Sequence, residues 1–431
     1  MTQEYLLPSP PAPAIREAMA KAVQRKDKGL DVFDFSSGNI GNLLVSQPVF
    51  SKMEVEVSDS VLPDLRAVVE GLRDGIVSSY YPMPKGVAYS PTGGTGPIRA
   101  LVARYFRELH GIPISDEDAK RVIVTAGGQQ AMTAALRSIK PGTRVLIPQW
   151  EYGPASGVIR SHGCEEVRVK MTDELALDMD DFRSKAAPNS VCYVSMPNNP
   201  TGFMSVEQLR AIAVIMSSHG GGLVWDAPYL LTLLRLDGST ATFDAKLLQE
   251  TLNELRELGE EFHPNMCVLS SLSKSCLIAG LRFGFAYGST QWVDNMEAII
   301  GRENLSSPTP SFIAGTEVLR RFLDQPRSYE WVCRVLAGRL NILIEEMGDH
   351  LLLPGNGLFG ALYVLVKTGD QPCKPFADRL IEESGIVTVP CNQFYGGEAH
   401  AVRLSLVSVP WTEGEEGWKA SVAALKSAMT Q

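Results

Sequence analysis

The sequence predicts an α/β protein: a large domain built on a mostly parallel seven-stranded sheet between helices, joined to a smaller α+β domain. Two observations lead there. From Arg121 to Gly288, short runs rich in β-branched and apolar residues alternate with stretches of 3.6-residue apolar periodicity, the mark of βαβ units and a sheet covered on both faces. After Pro308 the alternation gives way to a long helical stretch and then to short strands and helices in mixed order.

Seven strands are expected, at Arg121–Thr125, Arg144–Pro148, Glu165–Lys170, Ser190–Met196, Gly222–Trp225, Met266–Ser270 and Arg282–Tyr287. Ala131–Ile139 and Val206–Met216 have helical spacing, and Phe243–Pro264 reads as a long polar helix. Further on, helix is expected from Ser311 to Asp349 with a break near Pro326, then a strand at Leu358–Val366 and a helix at Pro375–Ser384. Strands at Ile386–Val389 and Ala401–Leu406 and a last helix from Gly414 complete the smaller unit. At the other end, a Pro-rich arm (Pro8, Pro10, Pro11, Pro13) leads into a short helix, Ala14–Gln24. The expected division is residues 1–60 as an arm and part of the small domain, 61–310 as the large domain, and 311–431 as the rest of the small one.

Composition narrows the function. The 431 residues carry a net charge of −9, which leaves no basic footprint for nucleic acid or an anionic membrane and favours small-molecule substrates. Seven scattered cysteines form no C-x-x-C pair, and six dispersed histidines show no ligand spacing, so no metal site or disulfide framework is expected. No segment offers the roughly 20 apolar residues of a membrane span, and no cleavable leader is read at the N-terminus. A cytoplasmic location is the expectation.

In an open α/β sheet, ligands sit outside the carboxyl ends of the strands. The chemistry-bearing residues of this chain follow strands. Ser271-Leu-Ser-Lys274 and Gly280-Leu-Arg282-Phe-Gly284 lie between two of them. A lysine there reaches the ligand face, where desolvation makes it a usable amine, and the hydroxyls and arginine suit a phosphate; a solvated surface lysine is the alternative. Thr125-Ala-Gly127-Gly128-Gln129-Gln130 joins a strand to a helix, offering free N–H groups and a positive dipole end, or simply a turn. Pro148-Gln-Trp150-Glu-Tyr152 places aromatics just past a strand, for ring stacking or for packing. Pro197-Asn198-Asn199-Pro200-Thr201-Gly202 marks a tight turn. Asp226, after an apolar strand in Trp225-Asp226-Ala-Pro-Tyr229, calls for a cationic partner or serves as a helix cap. Arg403 stands alone in the apolar Val402–Leu406 run, where a guanidinium suits a planar carboxylate.

The order S-x-x-K followed by G-x-R-x-G resembles the cofactor-lysine motif of the aspartate aminotransferase superfamily, the fold type I enzymes dependent on pyridoxal 5'-phosphate. The other motifs match in the family's order from about Ser36 to Leu406. The resemblance implies that Lys274 holds the cofactor as a Schiff base and moves the substrate's α-proton, with Asp226 on the ring nitrogen and Tyr229 and Asn199 on the ring oxygen. It places the phosphate on Gly128, Gln129, Ser271, Ser273 and Arg282, with Tyr89 reaching it from a neighbouring subunit. Tyr152 covers the ring, with Trp150 as the fallback. Arg403 clamps the substrate carboxylate, and Gly38 and Asn39, in Ser37-Gly38-Asn39, resemble the segment that closes over substrate. Ser306 and Ser307 sit where a second cross-subunit contact arises, so a homodimer with shared active sites is implied.

The activity implied is transfer of an amino group between an L-amino acid and a 2-oxo acid such as pyruvate. No second arginine for a side-chain carboxylate stands out, although Arg302 lies near the partner-facing loop, which favours neutral or apolar amino acids. Trp150-Glu-Tyr152 and the Ser-Leu-Ser-Lys order look similar to valine–pyruvate and alanine aminotransferases. Pro390-Cys391-Asn392-Gln393-Phe394 departs from the family's Pro-Gly pattern and is similar to a loop of arginine oxidases. An oxidase or deaminase, or a C–S lyase on the same fold, is the alternative.

Overall fold

A computed structural model describes residues 14–38, 40–43, 62–81, 85–238, 240–262, 265–355, 357–360, 362–410 and 414–429. Its centre is a seven-stranded sheet. The strands are β1 (Val122–Thr125), β2 (Arg144–Pro148), β3 (Glu165–Val169), β4 (Val191–Ser195), β5 (Gly222–Asp226), β6 (Met266–Ser271) and β7 (Gly284–Tyr287). Their order is β1-β7-β6-β5-β4-β2-β3. Only β7 runs antiparallel to its neighbours, β1 and β6; the other pairings are parallel. Each expected strand appears, shifted by at most two residues at an end.

Both faces of this sheet are covered, and alternate residues show it. Ile123, Val145, Ile147, Tyr193, Val224, Leu269 and Ala286 pack on one side beneath the helices Gly128–Arg137, Gly153–Ser161 and Thr290–Asn304. Val124, Leu146, Val194, Trp225, Val268 and Phe285 point into the main core on the other. Strands buried on both faces read as continuous apolar runs, which is why the sequence locates them well. The long helix before β6 spans Ala245–Phe262 and buries Leu247, Leu248, Leu252, Leu255 and Leu258. Its polar residues form the outer face of an amphipathic covering helix.

Two helices missed in the sequence, Leu62–Tyr80 and Gly96–Leu109, also pack here. The first lies against Thr309–Asp324, and the contact is close because Gly71 and Gly75 face it. A Cβ on Gly71 would lie 2.9 Å from the Val318 Cα, and one on Gly75 would collide with the Ala314 backbone. The expected break near Pro326 separates this helix from Arg327–Met347.

The smaller sheet comprises β8 (Leu351–Leu352), β9 (Tyr363–Lys367), β10 (Val389–Pro390) and β11 (Ala401–Ser405), in the antiparallel order β8-β9-β11-β10. The N-terminal residues join this part of the molecule. Phe33–Asp34 pairs in parallel with Ile386–Val387, and Ala22 of the helix Ala14–Asp27 packs on Ile381 and Val387.

One expected strand is corrected. Leu358–Val366 is not continuous: Gly357–Phe359 joins Phe203–Met204 and Leu234–Asp237 in a separate sheet, and only Tyr363–Lys367 enters the small one. The break falls at Gly360, whose N–H donates to the Gly202 carbonyl at 2.8 Å and whose missing Cβ makes room for Pro197. The Ile386–Val389 run likewise divides, its two halves pairing with different partners.

Candidate functional site

The carboxyl ends of β4, β5 and β6 lie side by side, with Ser195 opposite Asp226 and Asp226 opposite Leu269. Asp226 closes β5 and is buried. Its Oδ2 accepts a hydrogen bond from the Tyr193 hydroxyl at 2.7 Å. Burial pushes the carboxyl up to about 6, against the pull of that hydrogen bond. Among the described residues, no lysine, arginine or histidine forms an ion pair with it.

β6 ends at Ser271, and a single helical turn, Leu272–Ser275, presents Lys274 to the same space. The Lys274 Nζ donates to the Gly38 carbonyl at 2.8 Å and stands 5.6 Å from the centre of the Tyr229 ring. Gly38 is held near by the Phe35 carbonyl, which accepts from the Ser405 N–H on β11 at 2.8 Å. A side chain at Gly38 would collide with the Tyr363 hydroxyl.

Beside the lysine is a polar cradle. Gly127 has φ +81, and the Gly128–Arg137 helix starts after it with the Gly128 and Gln129 N–H groups ahead of the first helical bond, which Gln130 N–H makes to the Gly127 carbonyl at 3.1 Å. Ser271 Oγ lies 3.7 Å from the position a Gly128 Cβ would take, and an Arg282 Nη lies 2.6 Å from that of Gly127. Arg282 itself adopts φ +59 and donates from Nη1 to the Ala279 carbonyl at 2.8 Å. Tyr152 reaches the cradle's edge, its hydroxyl donating to Gln129 Oε1 at 2.7 Å. The opposed charges of Asp226 and of Arg403 and Arg282 also act on this phenol, whose ionisation burial holds high.

Arg403 on β11 is buried, with its guanidinium carbon 3.9 Å from the centre of the Tyr363 ring and 4.8 Å from that of Phe394. Its Nη1 donates to Asn199 Oδ1 at 3.2 Å, while the buried Nε has no partner. Phe394 is fixed from the large domain. Its carbonyl accepts from the Glu151 N–H at 2.9 Å and from Arg168 Nη1 at 3.1 Å, and Gln149 Nε2 donates to the Tyr395 carbonyl at 2.7 Å.

Lys274, Asp226, Tyr229, Asn199, Tyr152, Gln129, Gly128, Ser271, Arg282, Gly38 and Arg403 therefore border one space. Ser273 is buried on the lysine's own turn. Trp150 packs on Tyr395 instead, at 4.6 Å between ring centres. Tyr89 is 83% exposed on the surface, and Ser307 is buried with its hydroxyl unpartnered. Arg302 is exposed at the end of the Thr290–Asn304 helix. Asn39 lies outside the described residues. Cys391 is buried; its N–H donates to Cys373 Sγ at 3.2 Å.

Three site residues were not read from the sequence. Tyr193 holds Asp226 from within β4. Tyr363 stands between Lys274, Arg403 and Tyr229. Burial works to raise its ionisation, but the charges of Lys274 and Arg403 outweigh that and lower it, while the Tyr229 phenol is raised. Glu151, fully buried, accepts from Tyr152 N–H at 2.6 Å, Ser195 N–H at 2.8 Å and the Ser195 hydroxyl. Burial works to raise the pKa of its carboxyl, and those donors oppose it.

A sheet of this order, with a lysine after β6 and an acid closing β5, is the arrangement expected of the fold type I enzymes dependent on pyridoxal 5'-phosphate. The family model "Aminotransferase class I and II" matches residues 68–413, and the chain belongs to that family. It is 28% identical over 325 residues to the aspartate/prephenate aminotransferase of Thermus thermophilus, covering 71% of this chain and 76% of that one. It is 25% identical over 325 residues to the probable N-acetyl-LL-diaminopimelate aminotransferase of Bacillus subtilis, covering 74% and 77%. Its fold is similar to that of the Thermus thermophilus aspartate aminotransferase with maleate, with a TM-score of 0.75, 22% identity and coverage of 99% and 98%. The alanine aminotransferase of Pyrococcus furiosus superposes with a TM-score of 0.73 at 20% identity, covering 97% of both chains. The chain is a transaminase that uses pyridoxal 5'-phosphate. Among the described residues, no helix is long and apolar enough to cross a membrane.

The donor set fits that cofactor. The cradle, where glycine Cβ atoms are absent and Arg282 and Ser271 converge, has the N–H, hydroxyl and guanidinium donors a phosphate ester requires. Buried Asp226, with no cation of the protein paired to it among the described residues, suits a protonated ring nitrogen.

Proposed function

We propose that this transaminase moves the amino group of a neutral or apolar L-amino acid to a 2-oxo acid such as pyruvate. The observation that supports this reading is the setting of Arg403: a buried guanidinium between two aromatic faces, with one nitrogen unpartnered. A single carboxylate satisfies such a group, and the aromatic walls of Tyr363, Phe394 and Tyr152 favour an uncharged side chain.

In this reading Gly128, Gln129, Ser271, Ser273 and Arg282 hold the cofactor phosphate, and Tyr152 lies over the ring. Asn199 and Tyr229 address the ring oxygen, and Asp226 the ring nitrogen. Bound there, pyridoxal 5'-phosphate supplies a sink for the electron pair left at the substrate's α-carbon. Arg403 orients the amino acid by its carboxylate, with Gly38 covering the entrance. Lys274 Nζ takes the α-proton as general base. Tyr193 keeps Asp226 oriented, and the packing of Phe394 against Arg403 excludes water from the carboxylate.

The active unit is a homodimer in the cytoplasm. Tyr89, largely exposed in one chain, reaches the partner's phosphate, and Ser306 forms a second contact across the interface, whereas Ser307 is buried within its own chain. Ile76, Val77, Tyr80, Tyr81 and Val87 are exposed apolar residues of one stretch of chain, and exposed Leu305 is tied close to it by the Thr92 hydroxyl, which donates to its carbonyl at 2.7 Å; such residues suit burial against a second copy.

The test is a half-reaction under anaerobic conditions. Purified protein in the cofactor-loaded form is mixed with single amino acids. Stoichiometric 2-oxo acid from alanine, valine or similar donors, with recovery of the starting spectrum on adding pyruvate, is expected. Turnover confined to aspartate or glutamate would remove the proposed substrate class. Amine loss only after oxygen is admitted would favour an oxidase.

A further inference from the structure

We propose that Glu151 is a positioning residue for the substrate carboxylate clamp: it holds Ser195, Ser195 holds Asn199, and Asn199 holds Arg403. This rests on the reading of Arg403 given above and adds the device that aims it.

Glu151 has no exposed surface and, among the described residues, no ion-pair partner. Every group hydrogen-bonded to it is a donor, although the charge of Asp226 also acts on it. Oε1 accepts from the Tyr152 N–H and the Ser195 hydroxyl, and Oε2 from the Ser195 N–H at 2.8 Å and Asn198 Nδ2 at 3.5 Å. Burial opposes the anion here, but four donors converge on its two oxygens. Ser195 Oγ has no acceptor position left for a carboxyl hydrogen, so the hydrogen-bond geometry accommodates the carboxylate and not a group that must itself donate.

The polarity of the next link follows. Ser195 Oγ accepts from the Asn199 N–H at 3.1 Å and from Asn198 Nδ2 at 3.2 Å, so its own hydrogen is committed to Glu151. Asn198 is fixed in turn: Nδ2 donates to the Trp150 carbonyl at 3.1 Å, and Oδ1 accepts from Thr201 N–H and Oγ1 at 3.1 and 2.8 Å. The turn of residues 198–202 is therefore built around the carboxylate. Asn199 leaves it with Oδ1 turned to Arg403 Nη1, at 3.2 Å.

That last bond sets the orientation of the guanidinium. Tyr363 and Phe394 stack on it and so fix its plane, but stacking leaves rotation within the plane open. Asn199 supplies the directional contact, and the unpartnered Nε remains for substrate. An amide at position 151 would place a donor among donors, turn the Ser195 hydroxyl and release the Asn199 backbone. The Arg403 guanidinium would then lose its aim while keeping its charge and its stacking.

The experiment measures calorimetric affinity of the cofactor-loaded protein for two probes: 2-methylalanine, which has amine and carboxylate but no α-hydrogen, and methylamine, which lacks the carboxylate. Glu151→Gln is expected to weaken 2-methylalanine about tenfold while leaving methylamine within about twofold. Ser195→Ala keeps the carboxylate and cuts the relay, so it gives the same selective loss and serves if Glu151→Gln fails to fold. Loss of both probes in equal measure, the mark of general damage to the site, overturns the proposal, as does loss of neither. Arg403→Leu separates the two levels. If it leaves 2-methylalanine binding intact, the clamp reading itself is wrong; if it abolishes the preference while Ser195→Ala does not, the relay alone is wrong.

Discussion

The Lys274 Nζ hydrogen-bonds the Gly38 carbonyl at 2.8 Å, tying the turn after β6 to a segment 236 positions earlier in the chain. That segment runs beside β11, so the lysine of the large sheet and the Arg403 strand of the small one meet at Gly38. Tyr363 fills the remaining corner, and its hydroxyl leaves Gly38 no room for a side chain.

Tyr363 is accordingly expected to matter twice. Tyr363→Phe keeps the ring over Arg403 and removes the phenol. The charges of Lys274 and Arg403 lower its ionisation, and Arg403 keeps its charge when Lys274 carries the cofactor, so the wild type should lose kcat/KM on the alkaline side as a phenolate forms beside the guanidinium. The variant should have that limb displaced upward, with KM little changed. Tyr363→Ala also removes the stacking, weakening carboxylate binding by about 0.5–2 kcal/mol. Steady-state profiles of both variants check this; unchanged alkaline limbs would exclude the phenol.

Asp226 predicts a pH dependence of cofactor stabilisation. Burial raises its pKa from 3.8 to about 6. A carboxyl whose folded-state pKa is raised contributes stability below its unfolded value, and that contribution is lost as pH rises through about 6. A cation at the ring nitrogen restores it by stabilising the anion. The Tm gain on adding pyridoxal 5'-phosphate should therefore grow from about pH 5 to about pH 7. In Asp226→Asn the gain should be small and flat, as measured by thermal unfolding.

The helix contact at Gly75 gives a stability test away from the site. A methyl group there meets the Ala314 backbone, and overpacking of this kind costs about 1–3 kcal/mol. Gly75→Ala should lower the urea midpoint, and wild-type stability would show that the helices can part without strain.

Much of this molecule was legible in its sequence because its strands are buried on both faces. Val191–Ser195 and Met266–Ser271 are unbroken apolar or small runs, and no periodicity had to be resolved to find them. Asn199 and Lys274 follow them at turns, and Asp226 closes β5 just before another, so their polar groups are conspicuous. Leu358–Val366 misled because its break depends on Gly360 docking against Pro197 and Gly202, a contact formed across more than 150 positions. Glu151 and Tyr363 were hidden for the same reason. Glu151 looks like an ordinary charged residue between two aromatics until Ser195, 44 positions away, is placed beside it by the pairing of β2 with β4. Tyr363 is one more apolar residue of β9 until β11 sets Arg403 near it.

Lys274 is the residue expected to hold the cofactor. The most direct measurement is borohydride reduction of the resting protein, followed by mass spectrometry of its peptides. A pyridoxyl phosphate adduct on Lys274, absent from Lys274→Ala, which should also have lost at least about 100-fold in turnover, is the predicted result. An adduct on another lysine, or none on a protein that still turns over, would contradict it.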